Sequence, residues 1–178
     1  MERKSWQEYY TRAGCYGTET TYEKAGEWLS GMLVEDWGCG YCFARKYMQS
    51  YRGIDVGCPL ADKNINLSDY NSSVDGILIR HVLEHDYGWR NIIKNAVGSF
   101  HKRLCVVFFI PPNEKEDSLH SVEAAIDCPV LSISKSDFES ILTAGGCTFT
   151  SELLQTGSAP LGLEVVYYVE KSHDCHTV

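Results

Sequence analysis

The chain has 178 residues, a length typical of a single domain with one hydrophobic core. Its formal net charge of −8 disfavours a nucleic-acid partner, because nonspecific affinity for phosphate backbones depends on clustered Lys and Arg side chains. No apolar run approaches the roughly 20 residues of a membrane-spanning helix, and the N-terminal stretch MERKSWQEYY is not hydrophobic. The composition therefore predicts a cytoplasmic chain with no membrane partner.

Cysteine is frequent but scattered. The eight positions are Cys15, Cys39, Cys42, Cys58, Cys105, Cys128, Cys147 and Cys175. Disulfide frameworks belong to short secreted chains that cannot build a core, so we expect these thiols to be reduced. The C-terminal His173, Cys175 and His176 are a weak signal for a metal site, and we predict no bound metal.

The first half of the chain reads as helix, strand, turn, helix and strand. Thr20 and Glu23 have the spacing of a capping box, which predicts a helix that ends at Gly31. MLVEDW is a short apolar strand, GCGYCFARKYMQS is predicted to turn tightly into a second helix, and YRGIDV is a second strand.

The second half continues the alternation. VDGILI predicts a strand, DYGWRNIIKNAVGSF an amphipathic helix, and RLCVVFFI a strand covered on both faces and stopped by Pro111. Ser136 and Glu139 suggest another capping box, and TFTSELL and LEVVYYV read as an antiparallel pair. The prediction is an α/β, Rossmann-like, doubly wound sheet of about seven mostly parallel strands, with an antiparallel C-terminal edge pair and helices on both faces.

In such a sheet, ligands bind beyond the carboxyl ends of the strands at the switch point. The residues at those ends are Gly38, Cys39, Gly40, Val56, Gly57, Arg80 and His81. Glycines let a ligand approach the backbone, and Asp55 at the end of the second strand is placed to accept the hydroxyl groups of a ribose. Phe43 occupies the position where a dinucleotide fold needs a third glycine, so the pattern favours a nucleoside without a pyrophosphate.

Taken in order, VEDWGCGYC, GIDV and VDGILIRHVLEH resemble the motifs of class I S-adenosylmethionine-dependent methyltransferases over residues 32–112. The resemblance implies S-adenosylmethionine as cofactor. It implies cofactor contacts at Asp36, Gly38, Cys39, Gly40, Asp55, Val56, Asn66, Leu67, Arg80 and His81, and at Tyr10, Gly14 and Gly17 in a segment covering the methionine end. The sequence departs from the family at Cys42, where a glycine is usual, and at Asn66, where an acid is usual. The stretch between Asp55 and Asn66 is also too short for a full helix.

Other functions fit less well. WGCGYC is similar to a thioredoxin-type motif, which has no use for Asp36 and Asp55. A zinc peptidase would need His81 and His85 on one helical face, whereas VDGILI is a strand that runs up to the first of them. A structural zinc site is also disfavoured, because Cys39-x-x-Cys42 is not accompanied by a second Cys-x-x-Cys pair and Cys58 is expected on the far side of a strand. A noncatalytic methyltransferase-like binding module remains open.

The resemblance implies methyl transfer, for which His81 and His85 are the best-placed bases. Glu84 is expected to face solvent or to pair with Arg80. We expect one domain in three parts: a covering segment (1–31), a cofactor core (32–112), and an acceptor region with the terminal strands (113–178). The acidic charge favours a small-molecule acceptor, such as a sugar or its conjugate, over nucleic acid.

Overall fold

The computed structural model describes residues 19–123, 128–157 and 160–172. The predicted contacts at Tyr10, Gly14 and Gly17 lie outside these residues, as do the C-terminal His173, Cys175 and His176. The first half contains α1 (Thr20–Trp28), β1 (Leu33–Trp37), a 3₁₀ turn (Phe43–Tyr47), β2 (Ser50–Asp55) and β3 (Lys63–Asn64).

The second half begins with a 3₁₀ turn (Leu67–Asp69), β4 (Val74–Arg80), a 3₁₀ turn (Leu83–His85), α2 (Trp89–Ser99) and β5 (Phe100–Phe108). It continues with β6 (Ser118–Glu123), β7 (Cys128–Ser132), α3 (Lys135–Ala144), β8 (Cys147–Gln155) and β9 (Leu163–Lys171). Among the described residues, no helix is long and apolar enough to cross a membrane.

Seven strands form one sheet in the order β3-β2-β1-β4-β5-β9-β8. The first five are parallel, whereas β9 pairs antiparallel with both β5 and β8. The predicted fold class is confirmed. The order reverses between β1 and β4, which places the switch point at their carboxyl ends. A separate antiparallel hairpin of β6 and β7 was not predicted.

Helices cover both faces of the sheet. On one face, α2 buries Trp89, Ile92, Ile93, Ala96 and Val97, the residues that its helical spacing predicts. On the other face, Ala25 of α1 and the residue that follows the helix, Leu29, are buried against Val34 and Leu78. The sheet therefore lies between two apolar layers, and its carboxyl edge is left for the site.

Three local predictions were wrong. The glycine turn leads into a short 3₁₀ turn and not into a helix, because Cys42 adopts a left-handed conformation (φ 58°) and β2 begins at Ser50. The cap of α1 is Glu19, which makes no side-chain capping bond, and not Thr20. The cap of α3 is Ser134, two residues before Ser136, and its hydroxyl accepts from the backbone N–H of Asp137 at 3.2 Å.

Candidate functional site

A cavity of about 290 Å³ opens at the carboxyl ends of β1, β2 and β4. It is lined by Gly38, Asp55, Val56, Asn66, Leu67, His81, Val82, His85, Asp86 and Ile92. The volume is at the low end of small-molecule sites. The cavity therefore lies where the strand order predicts a ligand.

Gly38 lines this cavity, and two physical features of its position require glycine. Its φ of 79° lies in the region that side chains avoid, and a Cβ atom built on it would meet Val82 Cγ2 at 2.3 Å. The turn is fixed because the N–H groups of Gly38 and Cys39 both donate to the carbonyl oxygen of Ile54, at 2.7 and 3.1 Å. The end of β1 is thus tied to β2, with its backbone open to the cavity.

The carboxylate of Asp55 joins two loops while lining the cavity. Its Oδ2 accepts from the backbone N–H of Gly40 at 3.0 Å, and its Oδ1 accepts from those of Gly57 and Cys58 at 2.8 and 3.1 Å. Asp55 therefore holds the glycine turn and the loop after β2 in place, whatever else it binds.

Asn66 lines the cavity and caps the 3₁₀ turn at Leu67–Asp69. Its Oδ1 accepts from the backbone N–H of Ser68 at 2.9 Å. The donor group of the amide, Nδ2, takes no part in this bond. Asn95 on α2 supports the same turn by donating to the carbonyl oxygens of Leu67 and Ser68, at 3.1 and 2.9 Å. The exposed Asn66 amide is thereby presented on a rigid turn.

On the opposite side, His81 leaves β4 with a φ of 57°, unusual for a residue other than glycine. Its Nε2 lies 2.6 Å from Glu164 Oε1, a buried carboxylate on β9. The same oxygen accepts from Arg80 Nη2 at 2.8 Å and from the Thr21 hydroxyl at 3.1 Å. Three elements thus converge on one carboxylate behind the cavity wall.

Burial controls the protonation of this group of side chains. Burial lowers the pKa of His81 to about 4, because it outweighs the hydrogen bond to Glu164, and the charge of Arg80 acts in the same direction as burial. Burial also opposes ionisation of Glu164, but the hydrogen bond from His81 and the charge of Arg80 outweigh it and hold the pKa of Glu164 at about 2. The wall therefore holds a neutral imidazole that donates from Nε2 to an ionised carboxylate.

His85 is oriented by the hairpin that the sequence did not predict. Its Nδ1 lies 2.9 Å from the carbonyl oxygen of Pro129 on β7. Because a carbonyl can only accept, Nδ1 carries the proton, and Nε2 is the acceptor atom of the neutral ring. Phe109 packs against both histidine rings, with centroids 5.0 Å from His81 and 5.3 Å from His85.

The expectation for Glu84 was wrong, because its side chain is fully buried and bonds to a backbone group. Its Oε1 accepts from the N–H of Phe109 at 2.7 Å, while Oε2 has no hydrogen-bond partner among the residues that the structure describes. Burial raises the pKa of Glu84 to about 8, so the carboxyl is neutral at pH 7. Glu84 therefore anchors the turn to β5 from below the cavity.

The predicted residues divide into two groups. Seven of them line the cavity: Gly38, Asp55, Val56, Asn66, Leu67, His81 and His85. Four others do not appear in that lining: Asp36, Cys39, Gly40 and Arg80. Of these four, Asp36 accepts from the hydroxyl of Tyr51 at 2.7 Å, and burial raises its pKa to about 7.

Sequence reasoning missed Val82, Asp86, Ile92 and Glu164. Val82 and Asp86 flank predicted histidines, and Ile92 lies on the apolar stripe of α2 that was assigned to the core. The sequence did carry a signal for Glu164, which is a carboxylate within the apolar predicted strand LEVVYYV. A carboxylate that is buried in a strand needs hydrogen-bonding or charged partners. Nothing in the sequence identified those partners.

No protein-family model and no curated protein sequence matches the chain. Solved structures do match its fold. Magnesium protoporphyrin IX methyltransferase from Synechocystis PCC 6803 with bound SAM is 17% identical, at a TM-score of 0.63, over 86% of this chain and 79% of that chain. The 1,6-didemethyltoxoflavin-N1-methyltransferase of Burkholderia thailandensis is 14% identical, at 0.63, over the same shares of 86% and 79%. An S-adenosylmethionine-dependent methyltransferase from Mesorhizobium loti is 9% identical, at 0.60, over 91% and 100%.

At these identities the likeness defines the fold alone. The chain has the fold of class I S-adenosylmethionine-dependent methyltransferases, in agreement with its strand order and with the resemblance of its motifs.

Proposed function

We propose that the chain binds S-adenosylmethionine in the cavity at the ends of β1, β2 and β4 and transfers its methyl group to a small molecule. One observation carries the proposal. The glycine turn, Asp55 and the Asn66 turn meet around one cavity at the switch point of a sheet with the methyltransferase fold.

The side chains that line the cavity fit a nucleoside. Asp55 would accept from a ribose hydroxyl, because it lines the cavity at the end of β2 and its hydrogen bonds to the loops fix its position. Asn66 would donate from Nδ2 to an adenine ring nitrogen, because its Oδ1 is used by the backbone of Ser68. The bare backbone at Gly38 leaves room for the body of the ligand.

When bound, the cofactor supplies a methyl group on a positively charged sulfur, which a nucleophile displaces in line. The chain must then orient that nucleophile and, for a hydroxyl, remove its proton. His85 suits the second task better than His81, because the proton on its Nδ1 is held by Pro129 and its Nε2 can accept. His81 would have a positioning role in the cavity wall, because its Nε2 already donates to Glu164.

A small acceptor is supported by the size of the cavity and by the net charge of −8, which disfavours polyanions. Two structural neighbours are named for methyl transfer to small acceptors, magnesium protoporphyrin IX and 1,6-didemethyltoxoflavin. We propose that the region from residue 113 onward forms the acceptor side, because β7 contacts His85 through Pro129. A sugar or sugar conjugate is the first class to screen.

Calorimetry on the full chain with S-adenosylmethionine and S-adenosylhomocysteine tests the proposal. We expect micromolar binding that weakens by about tenfold or more in Asp55→Asn, the value of a charged hydrogen bond. Asp75→Asn is the matched control, because Asp75 pairs with Lys102 at the surface and does not line the cavity. Absence of heat with both compounds on folded protein would remove the proposal, and tight binding without turnover of any screened acceptor would favour a noncatalytic binding module.

A further inference from the structure

Three cysteines meet beneath the glycine turn, and we call them the three-cysteine cluster: Cys39, Cys42 and Cys58. Their sulfur atoms all lie within 4.8 Å of one another, and Cys39 Sγ lies 3.6 Å from Cys42 Sγ. All three side chains are at least nine-tenths buried, with exposures of 6%, 9% and 0%. The sequence-based expectation that Cys58 lies across a strand from the other two was therefore wrong.

The backbone is shaped to bring these sulfur atoms together. The left-handed conformation of Cys42, with φ 58°, ends the glycine turn and directs the chain back over Cys39. Gly53 on β2 provides the space, because a Cβ atom there would lie 2.9 Å from Cys39 Sγ and 3.2 Å from Cys42 Sγ. Any other residue at position 53 would press on two of the three thiols.

The surroundings favour a thiolate at some of these sulfur atoms and oppose it at others. The N–H of Leu60 donates to Cys58 Sγ at 3.3 Å, a bond that favours a negatively charged sulfur. The rest of the environment is mixed, since Arg45 pairs with Asp62 at 3.1 Å and Asp62 also accepts from the N–H of Gly53 at 2.7 Å. Tyr51 and Ala61 pack against the cluster, and Cys42 Sγ lies 3.4 Å from the carbonyl oxygen of Leu60. The hydrogen bond between Cys39 and Cys42 lowers the pKa of Cys42 to about 6 and, together with burial, raises that of Cys39, while burial raises the pKa of Cys58.

We propose that the three-cysteine cluster binds one zinc ion through three thiolates, with the fourth position left to water or a small ligand. In a tetrahedral site with Zn–S bonds of about 2.3 Å, neighbouring sulfur atoms lie roughly 3.8 Å apart. The 3.6 Å between Cys39 and Cys42 is close to that value and far from a disulfide of about 2.0 Å. Soft sulfur ligands favour zinc over magnesium or calcium. The proposal differs from the sequence-based prediction that no metal is bound.

The binding step is balanced by proton release. Three thiols lose three protons as three Zn–S bonds form, and no electron is transferred. The bound ion would join the glycine turn to the loop after β2 on the side of the turn away from the cavity. The same two loops are already joined by Asp55, which accepts from the N–H groups of Gly40 and Cys58. The inference does not depend on the proposed methyl transfer.

Metal titration of the reduced full chain tests the proposal. After stripping with a chelator, Zn²⁺ is titrated in competition with a chromophoric chelator, and Co²⁺ is used to record thiolate-to-metal charge transfer. We expect one equivalent of Zn²⁺ per chain and a Co²⁺ spectrum typical of three thiolates. Cys58→Ser should weaken Zn²⁺ binding by about 100-fold or more, since loss of a partner that merely supports a ligand costs about 10- to 100-fold.

Two further variants keep the test decisive. Cys42→Ser, at a slightly exposed ligand, should weaken binding as Cys58→Ser does. Cys147→Ala removes a buried thiol outside the cluster and should leave one equivalent bound. No Zn²⁺ uptake by the reduced chain would overturn the proposal. So would undiminished uptake in Cys39→Ser/Cys58→Ser, or a Cys39–Cys42 disulfide that forms equally fast with and without Zn²⁺.

Discussion

Two buried carboxylates serve the cavity from different sides, and they are held in different ways. Asp55 accepts from three backbone N–H groups, of Gly40, Gly57 and Cys58. Glu164 instead accepts from side chains, among them those of Thr21, Arg80 and His81. The first carboxylate fixes the course of two loops, whereas the second neutralises a buried charge. Removing either should therefore damage the protein for a different physical reason.

The largest expected effect is the loss of stability in Glu164→Gln. Without the carboxylate, the charge of Arg80 is left buried and unpaired, and we expect the free energy of unfolding to fall by about 3–5 kcal/mol. Asp55→Asn keeps one acceptor oxygen and should lose about 1–3 kcal/mol. Urea denaturation of the full chain at pH 7 measures both.

Glu170→Gln is the control for this pair, because Glu170 bonds to Arg103 in a half-exposed position and should cost less than about 1 kcal/mol. A loss in Glu164→Gln no larger than in Glu170→Gln would contradict the role assigned to Glu164.

The group of side chains around Glu164 also makes the stability of the folded protein depend on pH. An unfolded histidine takes up a proton near pH 6.5, whereas burial keeps His81 neutral down to about pH 4. Between these values the unfolded chain binds more protons, so stability falls as the pH falls, by about 3 kcal/mol at pH 4, with no contribution above pH 6.5. His81→Asn, a residue that tolerates positive φ, should remove this component.

The measurement is the difference in unfolding free energy between wild type and His81→Asn across this pH range. The difference is needed because Glu84 affects the free energy of unfolding in the opposite direction. Its pKa in the folded protein is raised to about 8, so its contribution to stability is lost as the pH rises from 4.5. Parallel profiles for the two proteins would show that His81 is protonated normally when folded.

The Asp55 side can be probed through the contact at Gly38. Gly31 and Gly38 have nearly the same φ, 75° and 79°, but only Gly38 has a neighbour where a Cβ would stand. Gly31→Ala should cost about 1–2 kcal/mol for its conformation alone, and Gly38→Ala about 1–3 kcal/mol more. In a Val82→Ala background the extra loss should shrink, and equal losses in the two alanine variants would refute the close contact.

The smallest expected effect concerns Asn66 and rests on the proposed cofactor. Asn66→Ala should raise the Kd for S-adenosylhomocysteine by about tenfold, or about 1.4 kcal/mol, by removing one donor and the cap of the turn. Asn71→Ala, an exposed amide just beyond the turn, should leave the Kd unchanged. Equal affinities in both variants would place the base elsewhere in the cavity.

The elements that the sequence predicted correctly are those whose apolar pattern is long. β4 and α2 each bury most of their length, so periodicity alone located them. The 3₁₀ turn after β1 was mistaken for a helix because FARKYM contains good helix formers, and the left-handed Cys42 cannot be seen in composition. The β6–β7 hairpin was missed because its strands lack a regular alternation, with Leu119 and Val122 exposed.

A site residue could be predicted when its contacts are close in the sequence and could not when they are distant. Asp55 bonds to residues two and three positions along the chain, and its place at a strand end was enough to nominate it. Glu164 bonds to groups 83, 84 and 143 positions away, and its role depended on the tertiary fold. The cluster of Cys39, Cys42 and Cys58 was missed for the same reason, since the third cysteine reaches the other two only around the end of β2.

The position of Glu164 on β9 also affects the order in which the molecule assembles. Loop closure over 84 residues is slow compared with the local closure at Asp55, and chains fold largely from the N-terminal side as they are synthesised. Arg80 and His81 leave the ribosome before their carboxylate partner, so we expect the guanidinium of Arg80 to stay hydrated until Glu164 is in place. The histidine wall of the cavity is complete only when β9 lies between β5 and β8, and we therefore expect its completion to be a late event in folding.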